Sequence, residues 1–237
     1  MAYTYRYPRP AVSVDCVVFG IGVAQLHVLL IQRDRPPFAG HWALPGGFAG
    51  IEEPLEEAAK RELAEETGLC QIPLEQLHTF GQPGRDPRGR VISVVYFGLQ
   101  RLEGLRVKGG DDARQADWFP WSKLPPLAFD HEEILQFAYR RLVEKACWGP
   151  IGRELLPPYF SLRQFQELYE AIFQRKLDAR KFRRRMLRIG LIQPAPTKSQ
   201  SSRHARQSLY MFQPSLYEQL SRYGFAGKSF WQEELFS

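Results

Sequence analysis

The sequence has little cysteine and no long apolar segment, and each absence excludes a class of protein. Only three of the 237 residues are cysteine, and none of them belongs to a Cys-x-x-Cys pair. Neither a cysteine-based zinc site nor a disulfide framework is indicated, so a reducing cytoplasm is the expected compartment. No apolar run is long enough for a transmembrane helix, and no membrane partner is expected. The first ten residues are aromatic, basic and proline-containing, unlike a signal peptide.

Acidic residues become scarce towards the C-terminus, which makes the charge asymmetric. Residues 1–149 contain 17 Lys and Arg against 19 Asp and Glu, whereas residues 150–237 contain 15 against 7. The net charge is therefore −2 in the first part and +8 in the second, which together give the total of +6. The second part is the candidate for an anionic partner.

Residues Gly47–Leu69 contain the most informative pattern in the chain. Pro54 suits the first turn of a helix, because its missing N–H would be unpaired there, and Gly68 suits the end. Between them, apolar residues recur at helical spacing, and three carboxylates stand at i, i+3 and i+4 on one face. A hard divalent cation such as Mg²⁺ would remove their mutual repulsion. The alternative for Glu62, Glu65 and Glu66 is an ordinary acidic surface helix.

The full spacing resembles the Nudix box, G-x5-E-x7-R-E-U-x-E-E-x-G-U, in which U is a bulky aliphatic residue. Every fixed position is filled, by Gly47, Glu53, Arg61, Glu62, Leu63, Glu65, Glu66, Gly68 and Leu69. The preceding segment Gly40–Gly47 is also typical of that family. The resemblance implies an α/β/α sandwich on a mixed sheet, and a hydrolase that uses Mg²⁺ or Mn²⁺ to cleave substituted nucleoside diphosphates.

The resemblance also implies roles for the box residues. Glu62 would activate the attacking water. Arg61 would pair with a box glutamate and hold it in place, or would be only an exposed helix residue. Glu53 would lie near the helix start, where the helix dipole favours an anion, or would be only a structural cap. The implied metal ligands are Glu62, Glu65, Glu66 and the carbonyl oxygen of Gly46.

Apolar runs and turn residues predict the strands around the box. Val- and Phe-rich segments are expected to be buried strands, and shorter apolar segments are expected to be short ones. Glycine and proline cluster in the connections between them. The predicted strands are Ala11–Gly20, Val23–Gln32, Leu77–Gly81, Val91–Leu102 and Ala116–Pro120.

A second long helix is predicted after these strands. Asp130 begins it and can cap it, with Glu133 reaching back as in a capping box. Gly149-Pro150 ends the helix, which places the domain boundary between residues 1–149 and 150–237.

Cationic and aromatic side chains near the box are candidate substrate contacts. The arginines could bind a phosphate and the aromatic rings could stack on an adenine, although each side chain also fits a structural or a solvated role. These candidates are Arg33, Phe80, Arg85, Arg88, Arg90 and Trp118. The histidines show no ligand spacing and are interpreted as local hydrogen-bonding residues, namely His41, His78 and His131.

The second domain has the element order of a winged helix. Ser161 caps a first helix, and Asp178 caps a very basic second helix, Ala179–Ile189. Two short strands, Leu191–Gln193 and Leu209–Phe212, flank a loop with a basic tip. This order predicts DNA binding, and the alternative is a solvated basic helix. The expected DNA-binding residues are Arg180, Lys181, Arg183, Arg184, Arg185, Lys198, Arg203 and Arg206.

A Nudix domain followed by a winged helix is similar to the Nudix-related transcriptional regulators of NAD metabolism. The resemblance covers nearly the whole chain, from Tyr7–Ala11 through Phe80–Arg90 and Phe129–His131. It implies a homodimer that binds operator DNA and is released when ADP-ribose, or a related nucleoside diphosphate, binds to the Nudix domain. Many members have a broken box and do not hydrolyse the ligand. This box is whole, so hydrolysis is expected as well.

Two other functions are compatible with parts of the sequence. One is an ADP-ribose pyrophosphatase whose basic domain serves dimerisation or substrate attraction. The basic helix and the basic loop favour the regulator, because a hydrolase needs neither. An RNA-processing Nudix enzyme ranks third, because no stacking aromatic residues interleave with the basic run.

Overall fold

The computed structural model describes residues 6–22, 24–103, 107, 113–196 and 208–225. The chain forms two compact units. The first contains most of the chain up to Ala138, and the second contains the chain from Tyr139 onwards with two short segments, Ile21–Leu26 and Arg101–Glu103. The domain boundary at residue 149 remains a prediction.

The first unit is built on a seven-stranded sheet. The central order is β3-β2-β1-β6-β5, with β4 paired to β1 and β7 paired to β2. The pairs β1–β4, β2–β3, β2–β7 and β5–β6 are antiparallel. The strands are β1 (Ala11–Ile21), β2 (Leu26–Arg33), β3 (Trp42–Ala43), β4 (Gly46–Phe48), β5 (Glu75–Phe80), β6 (Val91–Arg101) and β7 (Ala113–Pro120).

The central pair β1–β6 runs parallel. At the start of both strands, the N–H of Ala11 donates to the carbonyl of Arg90 at 2.9 Å. At their ends, the N–H of Leu102 donates to the carbonyl of Ile21 at 3.1 Å. The starts of the two strands lie side by side, and so do their ends, so the pair is parallel. Because other pairs in the same sheet are antiparallel, the prediction of a mixed sheet is confirmed.

Both faces of the central strand are covered. Side chains alternate along a strand, and Val14, Cys16 and Val18 belong to the same buried cluster as the apolar face of the box helix. Val17 and Phe19 point to the opposite face and are fully buried as well. This double burial explains why β1 is a nearly continuous apolar run.

The starts of two strands differ from the predictions by three residues. The second strand begins at Leu26, after a turn that the N–H of Gly22 closes onto the carbonyl of Gln25 at 2.9 Å, and its predicted start, Val23, lies outside the described residues. The strand predicted from Ala116 begins at Ala113 and pairs along nearly the whole of β2. Because this strand contains several polar residues, an apolar sequence pattern does not predict its full length.

Two long helices complete the first part of the chain, α1 (Leu55–Thr67) and α2 (His131–Trp148), with a 3-10 turn at Trp121–Lys123. Helix α1 buries Ala58, Ala59 and Leu63, and it ends where Gly68 adopts φ 76° and donates to the carbonyl of Ala64 at 2.9 Å. Among the described residues, no helix combines the length and the apolarity that crossing a bilayer requires.

The second unit is a winged helix, as predicted. Its helices surround an antiparallel sheet in the order β8-β10-β9. The aromatic rings of Phe165, Phe182 and Phe212 meet in its core, at centroid distances of 5.2 to 5.5 Å from Phe165. Strand β8 was not expected from the sequence. The elements are β8 (Phe160–Ser161), α3 (Leu162–Phe173), α4 (Ala179–Arg188), β9 (Ile192–Pro194), β10 (Leu209–Phe212) and α5 (Pro214–Tyr223).

Ser161 caps α3 in a capping box, so replacing it should lower the stability of the second unit. The N–H of Gln164 donates to Ser161 Oγ at 3.2 Å, and the Gln164 side-chain oxygen accepts from the N–H of Ser161 at 2.8 Å. We expect Ser161→Ala to lower the free energy of unfolding by about 0.5–2 kcal/mol, measured by urea denaturation. The control is Arg163→Ala, whose exposed ion pair with Glu167 contributes little. Equal stability of both variants would contradict the cap.

Candidate functional site

A cavity of about 650 Å³ opens in the first unit beside the box. Its wall is strongly charged, which suits an anionic ligand held with a cation better than an apolar one. The charged lining residues are the carboxylates Asp15, Asp34, Glu62, Glu65, Glu66 and Asp86, and the guanidiniums Arg33, Arg35, Arg85 and Arg88.

Two glycines allow the backbone before α1 to pass close to other groups. A Cβ on Gly46 would lie 2.2 Å from the carbonyl oxygen of Val14. A Cβ on Gly47 would lie 2.4 Å from Glu62 Oε1. Because real Cβ atoms cannot approach so closely, glycine at both positions follows from packing against β1 and against the box carboxylate.

Arg61 connects three box carboxylates. Its Nε and Nη2 donate to both oxygens of Glu53, at 2.7 and 2.9 Å. Its Nη1 donates to Glu62 Oε1 at 2.7 Å and to Glu65 Oε2 at 3.1 Å. Hydrogen bonds from Arg61 and from the N–H of Gly50 lower the pKa of Glu53 to about 2. The structure therefore gives both Arg61 and Glu53 definite polar partners.

The environment of Glu62 and Glu66 favours a nearby cation. Burial raises the pKa of Glu66 to about 8, the Gly46 N–H lowers it, and the charges of Glu62 and Asp15 raise it. Burial likewise raises the pKa of Glu62, against the hydrogen bond from Arg61. A divalent cation would offset this desolvation, and carboxylate oxygens are ligands that Mg²⁺ and Mn²⁺ prefer.

In this structure, the carboxylates predicted as metal ligands accept hydrogen bonds from other groups of the protein. Arg61 binds Glu62 and Glu65, and the N–H of Gly46 donates to Glu66 Oε2 at 2.8 Å. Within the described part of the chain, no three His, Cys, Asp or Glu side chains are grouped closely enough to hold a metal ion. The donor chemistry fits a divalent cation, but the carboxylates do not converge on one point.

A buried polar network forms another wall of the cavity. Arg85 donates to both oxygens of Asp130, at 2.8 and 2.6 Å, and lies 3.7 Å from Asp15 Oδ2. Asp15 also accepts a hydrogen bond from Ser93 Oγ. His131 Nδ1 accepts from the N–H of Leu44 at 2.9 Å, which leaves Nε2 facing Asp15 Oδ1 at 3.6 Å.

Burial sets the protonation state of His131. Desolvation lowers the pKa of His131 below its usual range, and this outweighs the nearby carboxylate of Asp15. The imidazole is therefore neutral at neutral pH, with its proton on Nε2. His131 serves as a long-range support of the cavity wall instead of a local hydrogen-bonding residue.

Arginines and aromatic rings alternate on the remaining wall. The Arg88 guanidinium lies 4.9 Å from the ring centroid of Phe48 and 5.5 Å from that of Phe129. The Arg33 guanidinium lies 4.9 Å from the Phe129 ring. Asp86 binds Arg88 with both oxygens, at distances of 2.6 to 3.1 Å. These contacts hold the cations at the wall by cation–π and ionic interactions.

Three predicted substrate contacts lie elsewhere. Phe80 packs against Phe137 at 5.8 Å between ring centroids, and Arg90 donates to the carbonyl of Gly81 at 2.6 Å. Trp118 is a partly buried residue packed against the core cluster. None of the three belongs to the wall of this cavity, whereas Arg33, Arg85 and Arg88 do.

Sequence patterns had not singled out several residues of the cavity. Asp15 is the only charged residue of a strand that is otherwise nearly all apolar, and this isolation was the available signal. Phe48 was not proposed as a contact, and Phe129 was noted only as part of the family segment Phe129–His131, because the contacts of both rings come from segments far apart in the chain. Wall residues that were not predicted as site residues from the sequence include Ser13, Asp15, Phe48, Asp86, Phe129 and His131.

The second unit presents a basic helix face. Six of the ten residues of α4 are Arg or Lys, while Phe182 and Met186 face the core. Arg180, Lys181, Arg183 and Arg184 are exposed. Arg185 is half-buried. The predicted loop residues Lys198, Arg203 and Arg206 lie outside the described residues.

Little on this face neutralises the charge. Asp178 caps α4 by accepting from the N–H of Lys181 at 2.8 Å. Among the residues that the structure describes, no carboxylate forms an ion pair with Arg183 or Arg184. A row of exposed like charges at helical spacing is destabilising by itself and favours an anionic partner.

Comparisons with known proteins agree with this division. The NUDIX domain family model matches residues 9–138, and that of the NrtR DNA-binding winged helix domain matches residues 152–212. The ADPR responsive transcriptional repressor NtrR of Acinetobacter baylyi is 35% identical over an alignment of 213 residues, and the match covers 87% of this chain and 83% of that protein.

Two further similarities cover different shares of the chain. The ADP-ribose pyrophosphatase of Methanocaldococcus jannaschii is 47% identical over 133 residues, which are 56% of this chain and 75% of that protein. The crystal structure of Shewanella oneidensis NrtR complexed with a 27mer DNA has a TM-score of 0.70 and 31% identity, and the match covers 91% of this chain and 97% of that one.

Proposed function

The chain belongs to the Nudix family, and on this premise we propose that it is a DNA-binding transcriptional repressor whose Nudix domain binds ADP-ribose as effector and also hydrolyses it. One observation carries the proposal, namely that a charged Nudix cavity and a winged helix with an exposed basic helix occur in one chain. The similarity to the A. baylyi repressor, which is named as ADPR responsive, supports an effector role for ADP-ribose. The similarity to the S. oneidensis protein, which was crystallised with DNA, supports DNA binding.

The DNA-binding half of the proposal uses α4 as the recognition helix. In winged helices and other helix-turn-helix domains, the second helix enters the major groove with its N-terminal residues against base edges. Arg180, Lys181, Arg183 and Arg184 would make those contacts. Arg185, with the loop residues Lys198, Arg203 and Arg206, would bind phosphates or the minor groove.

The effector half of the proposal uses the charged cavity. A diphosphate carries negative charge and suits the guanidiniums of Arg33 and Arg88, which the rings of Phe48 and Phe129 hold at the wall. Arg85 would act more indirectly, because Asp130 already binds it in a bidentate pair.

Hydrolysis would convert ADP-ribose and water into AMP and ribose 5-phosphate. Bound Mg²⁺ or Mn²⁺ would polarise the diphosphate and lower the pKa of a water. Glu62, Glu65, Glu66 and the carbonyl of Gly46 would hold the cation. Glu62 would also accept a proton from the attacking water, while Arg61 keeps its carboxylate oriented through the 2.7 Å bond.

We further propose a cytoplasmic homodimer that regulates NAD metabolism. Dimeric helix-turn-helix proteins bind two half-sites about one helical turn apart, which suits a single recognition helix per chain. Among the described residues, Cys16, Cys70 and Cys147 form no disulfide, which suits a reducing compartment. The family resemblance supports NAD metabolism as the regulated process.

ADP-ribose should weaken operator binding about 5- to 150-fold, the range of an ordinary coupling of about 1–3 kcal/mol. The same factor should apply to the effect of the operator on ADP-ribose binding, because linkage is reciprocal. The measurement is fluorescence anisotropy of an operator selected with this protein from random duplexes, with and without ADP-ribose. EDTA is present so that no ligand is consumed.

AMP serves as the ligand control in this titration, and identical operator affinities with and without ADP-ribose would exclude the effector role. That outcome favours the second candidate function, an ADP-ribose pyrophosphatase with no regulatory role. The specific observation in its favour is the complete set of box carboxylates around Arg61, together with the M. jannaschii similarity.

A further inference from the structure

A buried carboxylate closes the turn between α3 and α4. Glu170 is only 6% exposed, although it lies in the DNA-binding unit and belongs to neither the cavity nor the basic face. Its Oε1 accepts from the N–H of Leu177 at 2.9 Å and from Gln166 Nε2 at 2.9 Å, and its Oε2 accepts from Lys176 Nζ at 2.8 Å. Gln166 Nε2 also donates to the carbonyl of Leu177 at 2.9 Å.

These hydrogen bonds engage both the N–H and the carbonyl of Leu177, which lies in the turn. Leu177 directly precedes Asp178, which caps α4, so the anchored peptide is adjacent to the start of the basic helix. The turn begins at Gln174, which ends α3 with a left-handed φ of 53°. The turn from α3 to α4 therefore begins at a residue with a strained, left-handed backbone conformation and ends at a peptide that hydrogen-bonds to Glu170.

Aromatic rings also join α3 and α4. The Phe182 ring lies 5.5 Å from the Phe165 ring and 6.0 Å from the Tyr169 ring, measured between centroids. Ring contacts stabilise the pair but constrain orientation weakly, because the hydrophobic part of the interaction is non-directional. Hydrogen bonds to the turn, together with the Asp178 cap, add a directional constraint on the first turn of α4.

Glu170 is ionised, as this role requires. Burial raises its pKa, but hydrogen bonds from Leu177, Lys176 and Gln166 outweigh burial, and the pKa lies below its usual range. An ionised carboxylate has only acceptor sites and can satisfy all three donors together. A glutamine side chain would keep one oxygen for the donors of Leu177 and Gln166, but it would present an NH2 group to the Lys176 ammonium, and all the bonds would lose their charge assistance.

We propose that Glu170 is a positioning residue for DNA recognition, which sets the orientation of α4 through the anchored backbone of Leu177. The inference rests on the proposed function. It predicts a change in DNA affinity opposite in direction to the change expected from net charge alone. Removing a negative charge from a DNA-binding unit should tighten DNA binding if charge alone matters, whereas misorienting α4 should weaken it.

The test is Glu170→Gln in the full chain, titrated with an operator selected by the wild-type protein from random duplexes. We expect the Kd for operator to rise on the order of tenfold, because the bonds at the turn lose their charge assistance and an amide NH2 group faces the Lys176 ammonium. The slope of log K against log salt should become shallower, since misplaced cations neutralise fewer phosphates. ADP-ribose binding in EDTA should stay unchanged.

Two control variants separate positioning from stability and charge. Ser161→Ala weakens the opposite end of α3 and should leave operator affinity unchanged at a temperature well below unfolding. Glu167→Gln removes the same charge from α3 at a residue paired with Arg163, and should not weaken binding. Should Glu170→Gln fail to fold, Gln166→Leu removes only the amide bonds to Leu177 and Glu170, and should weaken operator binding about threefold.

Wild-type or tighter operator binding by folded Glu170→Gln, or by Gln166→Leu where that variant replaces it, overturns the inference and leaves the proposed function intact. A wild-type protein that selects no operator at all would overturn the proposed function itself. The two failures are therefore distinguishable.

Discussion

Replacing Arg183 and Arg184 together by glutamine should weaken operator binding by at least about thirtyfold. Each side chain is exposed on α4 and would bind a base or a phosphate, and such interactions contribute about 1–3 kcal/mol each. The slope of log K against log salt should also fall by up to about 1.8, or about 0.9 for each phosphate that is no longer neutralised. Anisotropy titrations at several salt concentrations measure both quantities.

The control removes the same net charge elsewhere. Lys60→Gln with Arg141→Gln takes two exposed cations from α1 and α2, where each forms an ion pair with a carboxylate on its own helix. We expect at most a small change in operator affinity from this double variant. Equally weakened binding in the two double variants would mean that only net charge matters, and unchanged binding by the first would exclude α4 as the DNA-binding surface.

Replacing Glu62 by glutamine should slow ADP-ribose hydrolysis by about 10²–10⁴-fold, the usual contribution of a general base. Its carboxylate lines the cavity and is oriented by Arg61 at 2.7 Å. An amide cannot take a proton from water, and it is a poorer ligand for a hard cation. The measurement is AMP formation with Mg²⁺ under substrate saturation.

Operator binding by Glu62→Gln should remain at the wild-type level, which shows that the variant is folded. The matched control is Glu56→Gln on the same helix, because Glu56 is exposed and pairs with Lys60, which also has Glu57 as a partner. We expect an unchanged rate for that control. A wild-type rate in Glu62→Gln would remove Glu62 from the reaction and leave the cavity with a binding role only.

Local rules were sufficient wherever a residue interacts with its neighbours in the chain. Gly68 ends α1 and Asp178 caps α4, as their positions in the sequence predicted. Arg61 reaches Glu65 because residues four apart lie on one face of a helix. Strands β1 and β6 were recognisable because they are nearly continuous apolar runs, and a strand buried on both faces needs such a run.

Long-range partners were not accessible to those rules. Asp130 was predicted to cap its helix, yet both of its oxygens accept from Arg85, 45 residues away. His131 was interpreted as a local hydrogen-bonding residue, yet its partner is the N–H of Leu44, 87 residues away. Phe80 and Arg90 were plausible substrate contacts by position, but folding directs them away from the cavity wall.

The amino-acid sequence by itself determined the box helix with its carboxylates and the basic helix, because spacing along a helix decides which side chains share a face. The type of the first domain came from the resemblance of the box to a known family. Only the tertiary structure decided which side chains meet across the cavity, and that Glu170 closes the turn before α4. Those contacts depend on how distant segments pack together, and periodicity specifies a face without specifying what lies opposite it.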